Sequence, residues 1–120
     1  MARTVSTSDA MAAIEQFHAD PENSDALAQA VRLSLTWFAS AHPGRAVELR
    51  VPPYGAVQIL EGTTHRRGTP SAVVEMSPAT WIALFTHDTT WSAACSSGQV
   101  LASGARSDLT EPIASTPYGL

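Results

Sequence analysis

Lysine is absent from this 120-residue sequence, cysteine occurs once, and acidic residues outnumber basic ones by eleven to seven. Each shortage removes a class of explanation. A net charge of −4 gives no long-range attraction for nucleic acid or for anionic lipid surfaces. No apolar run approaches the ~20 residues that a membrane-spanning helix needs, so insertion into a membrane is not expected. The single Cys95 has no internal partner, which fits a reducing compartment. No Lys, Arg or His adjoins it, so it reads as a small apolar helix residue and not as an activated thiol. The first residues, Met1-Ala2-Arg3-Thr4-Val5-Ser6, hold no apolar segment of the kind a secretory signal requires, and a cytoplasmic protein is expected.

Catalytic spacings are missing too. His18, His42, His65 and His87 are far apart, with no H-x-x-H or H-E-x-x-H, so no metal site and no cofactor are expected. Neither a G-x-S-x-G elbow nor a phosphate-binding glycine loop occurs. One polar constellation stands out: Glu61, His65, Arg67 and Glu75. A His beside a carboxylate is capable of acid–base work near neutral pH. The simpler reading is a loop held by ion pairs and hydrogen bonds, and the sequence as a whole does not read as an enzyme.

What is present suffices for one ordinary core. Hydrophobic residues make up 44% and charged residues 15%, the profile of a single globular domain spanning 1–120. Two helices come first, within 8–41. Ser8 is a candidate cap for Met11, Ile14, Phe17 and His18, and Asp20-Pro21 interrupts. Ser24 then precedes a longer helix in which Leu27, Val31, Leu35 and Phe38 form one stripe, ended by His42-Pro43-Gly44.

The period changes to two at Ala46–Val51, where Val47, Leu49 and Val51 alternate with Glu48 and Arg50. Pro52-Pro53-Tyr54-Gly55 is a turn, and strands follow at 56–61 and 72–76. Ser77-Pro78 starts a helix with Trp81, Ile82 and Phe85 on one face. Thr90 caps a short helix carrying Trp91 and Cys95, Gln99–Ser103 is a last strand, and Ser107 opens a turn limited by Pro112. Sheet and helices thus fill 45–112, and the final residues are expected to be loose. The order predicts an α+β fold: a mostly antiparallel sheet of about five strands, helices on one face. Val47, Leu49, Val57, Ile59, Val74 and Val100 are expected to share the buried face, leaving Glu48, Arg50, Gln58 and Glu75 on the wet one. Arg45, Arg50, Arg66 and Arg67 alternate with Glu48 and Glu61, which suggests ion pairing there and not a phosphate patch.

Val74-Glu75-Met76-Ser77-Pro78-Ala79-Thr80-Trp81-Ile82-Ala83-Leu84, then Trp91, then Ser97-Gly98-Gln99-Val100-Leu101-Ala102-Ser103-Gly104 is similar to the C-terminal half of sterol carrier proteins. Glu48 through Gln58, with Glu61-Gly62 and Arg67-Gly68-Thr69-Pro70, resembles the bacterial branch of that family. One departure is His87, where the family usually has a glycine closing a short helix. The resemblance implies a helix-covered five-stranded sheet around an apolar cavity for fatty-acyl or lipid-like ligands. The candidate wall is Trp37, Phe38, Val57, Ile59, Val74, Trp81, Ile82, Phe85 and Leu101. The same side chains would serve an ordinary core, since burying each contributes about 1.5–3 kcal/mol. The leading reading is therefore a non-catalytic carrier of an apolar or amphipathic small molecule. The rival is an interaction module with a filled cavity that binds another protein or its own copy as a homodimer. An enzyme using Glu61, His65 and Arg67 comes third.

Overall fold

The computed structural model describes residues 4–62, 72–104 and 107–118. Helix α1 (Thr7–Ala19) is capped by Ser6, whose hydroxyl accepts from the Asp9 N–H at 3.0 Å. Helix α2 (Ser24–Ala41) is capped by Asn23, whose Oδ1 accepts from the Asp25 and Ala26 N–H groups at 2.9 and 3.1 Å. Both caps precede the serines the sequence suggested. Ser8 already lies in the first turn, and Ser24 yields to an amide oxygen that reaches two N–H groups at once. Helices α1 and α2 pack on one another, and α2 lies along the sheet.

Strands β1 (Val47–Val51), β2 (Gly55–Ile59), β3 (Ala72–Met76) and β4 (Val100–Ser103) form a sheet of order β2-β1-β3-β4. Among the described residues it has four strands, not about five, and it is mixed. β1 pairs antiparallel with β2 but parallel with β3, and β3 pairs antiparallel with β4. The parallel β1–β3 pair requires the chain to pass from β2 to the opposite side of β1, which composition does not announce. The expected edge segment from Gly62 to Pro70 lies outside the described residues beyond Gly62. The register sets Leu49 beside Val57 and Val74. Val47, Leu49, Ile59, Val74 and Val100 are buried and Val57 is half-buried. Arg50 and Gln58 are exposed, and Glu48 and Glu75 half-exposed, on the opposite face.

Helix α3 (Pro78–Phe85) begins as expected, with the Ser77 hydroxyl accepting from Thr80 N–H at 3.2 Å and proline at the first turn. It ends at Thr86, and His87 follows in the left-handed region at φ 64°. His87 therefore takes the conformation that a glycine would take at that corner. Helix α4 (Trp91–Ser96) is capped by Thr90.

The chain's end departs from expectation. Residues Thr110–Ala114 form a helix, α5, in place of a turn limited by Pro112. Pro112 is tolerated because it sits in the first turn, where N–H groups have no helical partner. Nor is the tail loose through residue 118. Thr116 is fully buried, and its hydroxyl donates to the Phe85 carbonyl at 2.9 Å. His87 Nε2 lies 3.0 Å from the Thr116 carbonyl, His42 Nε2 lies 3.2 Å from Ser115 Oγ, and the Tyr118 hydroxyl donates to Glu15. The buried Thr116 side chain, with its hydrogen bonds satisfied, ties down what would otherwise fray at a terminus.

Candidate functional site

The family resemblance implies a cavity between sheet and helices, and among the described residues that layer holds large rings. Phe38, Trp81 and Phe85 are fully buried. Trp81 meets Phe38 edge-on at 5.2 Å and Phe85 at 5.8 Å, and Phe85 meets Trp37 edge-on at 5.7 Å. The Trp81 indole N–H donates to Ser34 Oγ at 2.8 Å, and Ser34 in turn donates to the Ala30 carbonyl at 2.6 Å. Serine is an unusual choice on an apolar helix face. Here it supplies the partner that a buried indole requires. Trp37 is only half-buried, and its N–H donates to Thr7 Oγ1 at 2.9 Å.

The remaining candidate wall residues separate. Ile59 and Val74 are buried under the helices, and Val57 is half-buried nearer the sheet edge. Ile82 is buried, at a cleft of about 380 Å³ between α1 and α3 that Phe17, His18, Ala83 and Tyr118 share. Leu101 must be removed from the wall. It pairs with Glu75 on the open face of β4 and is 67% exposed. Alternation requires this once Val100 points inward.

The polar constellation is not brought together among the described residues. His65 and Arg67 lie outside them, and Glu61 is exposed at the end of β2. Glu75 is spoken for on the outer sheet face, where Arg50 sits 2.9 Å from Glu48 and 3.9 Å from Glu75. Of the ion pairing expected among Arg45, Arg50, Arg66, Arg67, Glu48 and Glu61, the described residues show Arg50 with Glu48; Glu75 joins it, and Arg45 meets Gln58 instead. Partial burial, and after it Asp108, push the Cys95 thiol up from its ordinary range, away from the reactive thiolate. Burial lowers the His42 pKa below the usual histidine value of 6.5. Its ring packs against Phe38 at 4.8 Å. Among the described residues, no three His, Cys, Asp or Glu side chains gather closely enough to hold a metal.

One cleft lies at the open edge of the two layers. It measures about 290 Å³ and runs between α2 and β2, lined by Val5, Leu33, Leu35, Val57, Arg32, Thr36, Gly55 and Ala56. Gly55 is one of the lining residues, and a Cβ there would come within 3.4 Å of Leu35 Cδ1, so a larger side chain would take up cleft space. Arg32 stands at the rim. Its Nε donates to the Tyr54 carbonyl at 3.4 Å, and the guanidinium carbon lies 5.9 Å from the Tyr54 ring centre. Of the proposed wall only Val57 belongs to this cleft. The others were missed because Leu33 and Thr36 sit at the flank of the helical stripe and Gly55 belongs to a turn in sequence. The one available signal was a cation directly after Val31, beside the stripe of a helix facing the sheet.

Residues 23–114 match the family model described as bacterial SCP ortholog, a span that takes in α2, the whole sheet and the helices α3 to α5. Comparison with curated proteins gives no match.

Proposed function

The chain belongs to the bacterial sterol carrier protein family, and on that premise we propose that it is a non-catalytic carrier of an apolar or amphipathic small molecule. The observation that carries the reading is the cleft between α2 and β2, apolar along its floor and open at the junction of the helical and sheet layers. Concave sites lined mainly by apolar side chains with few polar groups are the usual form of small-molecule sites. Family membership supports the general role, and the cleft supports this location for it. Phe38, Trp81 and Phe85 pack on one another and do not line this cleft. Every lining residue of the cleft except Val5 falls inside the family match.

Native mass spectrometry of the protein as isolated tests this. A one-to-one adduct that Gly55→Val loses supports the carrier reading. Bare protein that also takes up no amphiphile contradicts it.

The rival reading, an interaction module with a filled cavity, draws on the same packed layer and on exposed Leu101. A homodimer in the same spectra, with no adduct, would favour it. Catalysis through Glu61, His65 and Arg67 has no further support among the described residues.

A further inference from the structure

We infer that the cleft between α1 and α3 is a second binding site, and that it takes an organic ammonium with an apolar body. It shares no lining residue with the cleft between α2 and β2, so it stands apart from the carrier reading. Phe17, His18 and Tyr118 of its wall lie outside the span that matches the family model. The floor is apolar: Ala79, Ile82 and Ala83 of α3 line it together with the half-buried Phe17 and Tyr118 rings.

The polar groups of the cleft are acceptors. The Tyr118 hydroxyl donates its proton to Glu15, and the Thr86 hydroxyl donates to the Ile82 carbonyl at 2.9 Å. Each oxygen is left with lone pairs for a ligand. His18 Nδ1 lies 3.3 Å from the same Tyr118 oxygen. With the phenol proton given to Glu15, Nδ1 is the donor in that contact, and in a neutral imidazole Nε2 is then an acceptor. The Asp88 carboxylate, also in the lining, accepts only. Such a lining calls for a ligand rich in donors, and a primary ammonium is all donor. Charge points the same way. Among the described residues both ion pairs belong to Arg50, so neither Asp88 nor Glu15 has a cationic partner. The net charge of −4 draws cations at long range, and aromatic rings attract a cation over their faces. An anionic head would meet only acceptors and negative charge.

Titration of the full chain with phenethylammonium, 2-phenylethanol and 3-phenylpropanoate, followed in the ¹H–¹⁵N spectrum, keeps the body nearly constant and varies the head. The ammonium is expected to give saturable shifts at His18, Ala83, Thr86 and Asp88, the alcohol weaker ones and the carboxylate none. Asp88→Asn should weaken the ammonium roughly fivefold, the scale of one exposed charge contact, and leave the alcohol unchanged. Ala79→Leu, at an exposed helical position, should abolish both by filling the cleft. Raised salt should weaken the ammonium alone. The alcohol binding as tightly as the ammonium, with Asp88→Asn without effect, would overturn the cation assignment. Shifts at Leu33, Gly55 and Val57 in place of these, or no shift with any of the three, would overturn the site.

Discussion

Gly104 sits at φ +92°, and a Cβ built there would lie 2.9 Å from Ala72 Cα. Two costs coincide at one residue: a left-handed backbone and a backbone–backbone approach with no flexible atom to yield. Gly104→Val should therefore destabilise by roughly 2 kcal/mol or more, read as a shift in the urea midpoint at constant slope. A change under a few tenths would contradict the contact. The position was legible in sequence, because a glycine directly after a strand marks such an approach. His87 is the converse case, a bulky residue at φ 64° where glycine is at ease. His87→Ala and His87→Gly both lose the contact with Thr116, but only Ala retains the left-handed cost. The Ala variant should be less stable than the Gly variant by about 1 kcal/mol, a difference that isolates the backbone term. Equal stabilities would show that the ring contact alone matters. Sequence flagged the departure at His87 but not its partner, since Thr116 is 29 residues away.

Helix starts were readable where a hydroxyl and a proline stand together, as at Ser77-Pro78, and less so where several capping residues compete, as at Ser6-Thr7-Ser8 and Asn23-Ser24. Ser77→Ala should cost about 1 kcal/mol in thermal or urea unfolding, the usual loss for a cap. No loss would mean the proline alone fixes the start of α3. Strand faces followed directly from alternation, but strand order did not. Setting β1 between β2 and β3 depends on contacts between residues far apart in the chain, which a local period cannot encode. At the end of α2, His42 is held below its ordinary pKa by burial. The unfolded chain therefore binds this proton more readily than the folded one. Its contribution to stability is fully present above pH 6.5 and is lost as pH falls through that value towards the lowered folded one. Stability measured between pH 8 and pH 5 should fall less steeply in His42→Gln than in the wild type; parallel curves would refute the assignment.

The layered arrangement of the whole molecule decides where a ligand is able to go. Among the described residues, helices cover one face of a four-stranded sheet, and large rings lie in the layer between them. A domain of this size has little apolar material to leave unpacked. The family resemblance implies an interior cavity; among the described residues large rings occupy that layer, and the cleft proposed for the ligand lies at its edge. The family and the α+β class were legible because turns, caps and alternation lie close together in sequence. The cleft was not, because it joins Val5, the flank of α2 and the start of β2, which only the fold brings together. Its description leads to one decisive measurement, the ¹H–¹⁵N spectrum of the full chain titrated with octanoate. Saturable shifts confined to Arg32, Leu33, Thr36, Gly55, Ala56 and Val57, absent in Gly55→Val, are the predicted result. A spectrum that does not move, or shifts centred on Leu101 and the open face of β4, would contradict the account.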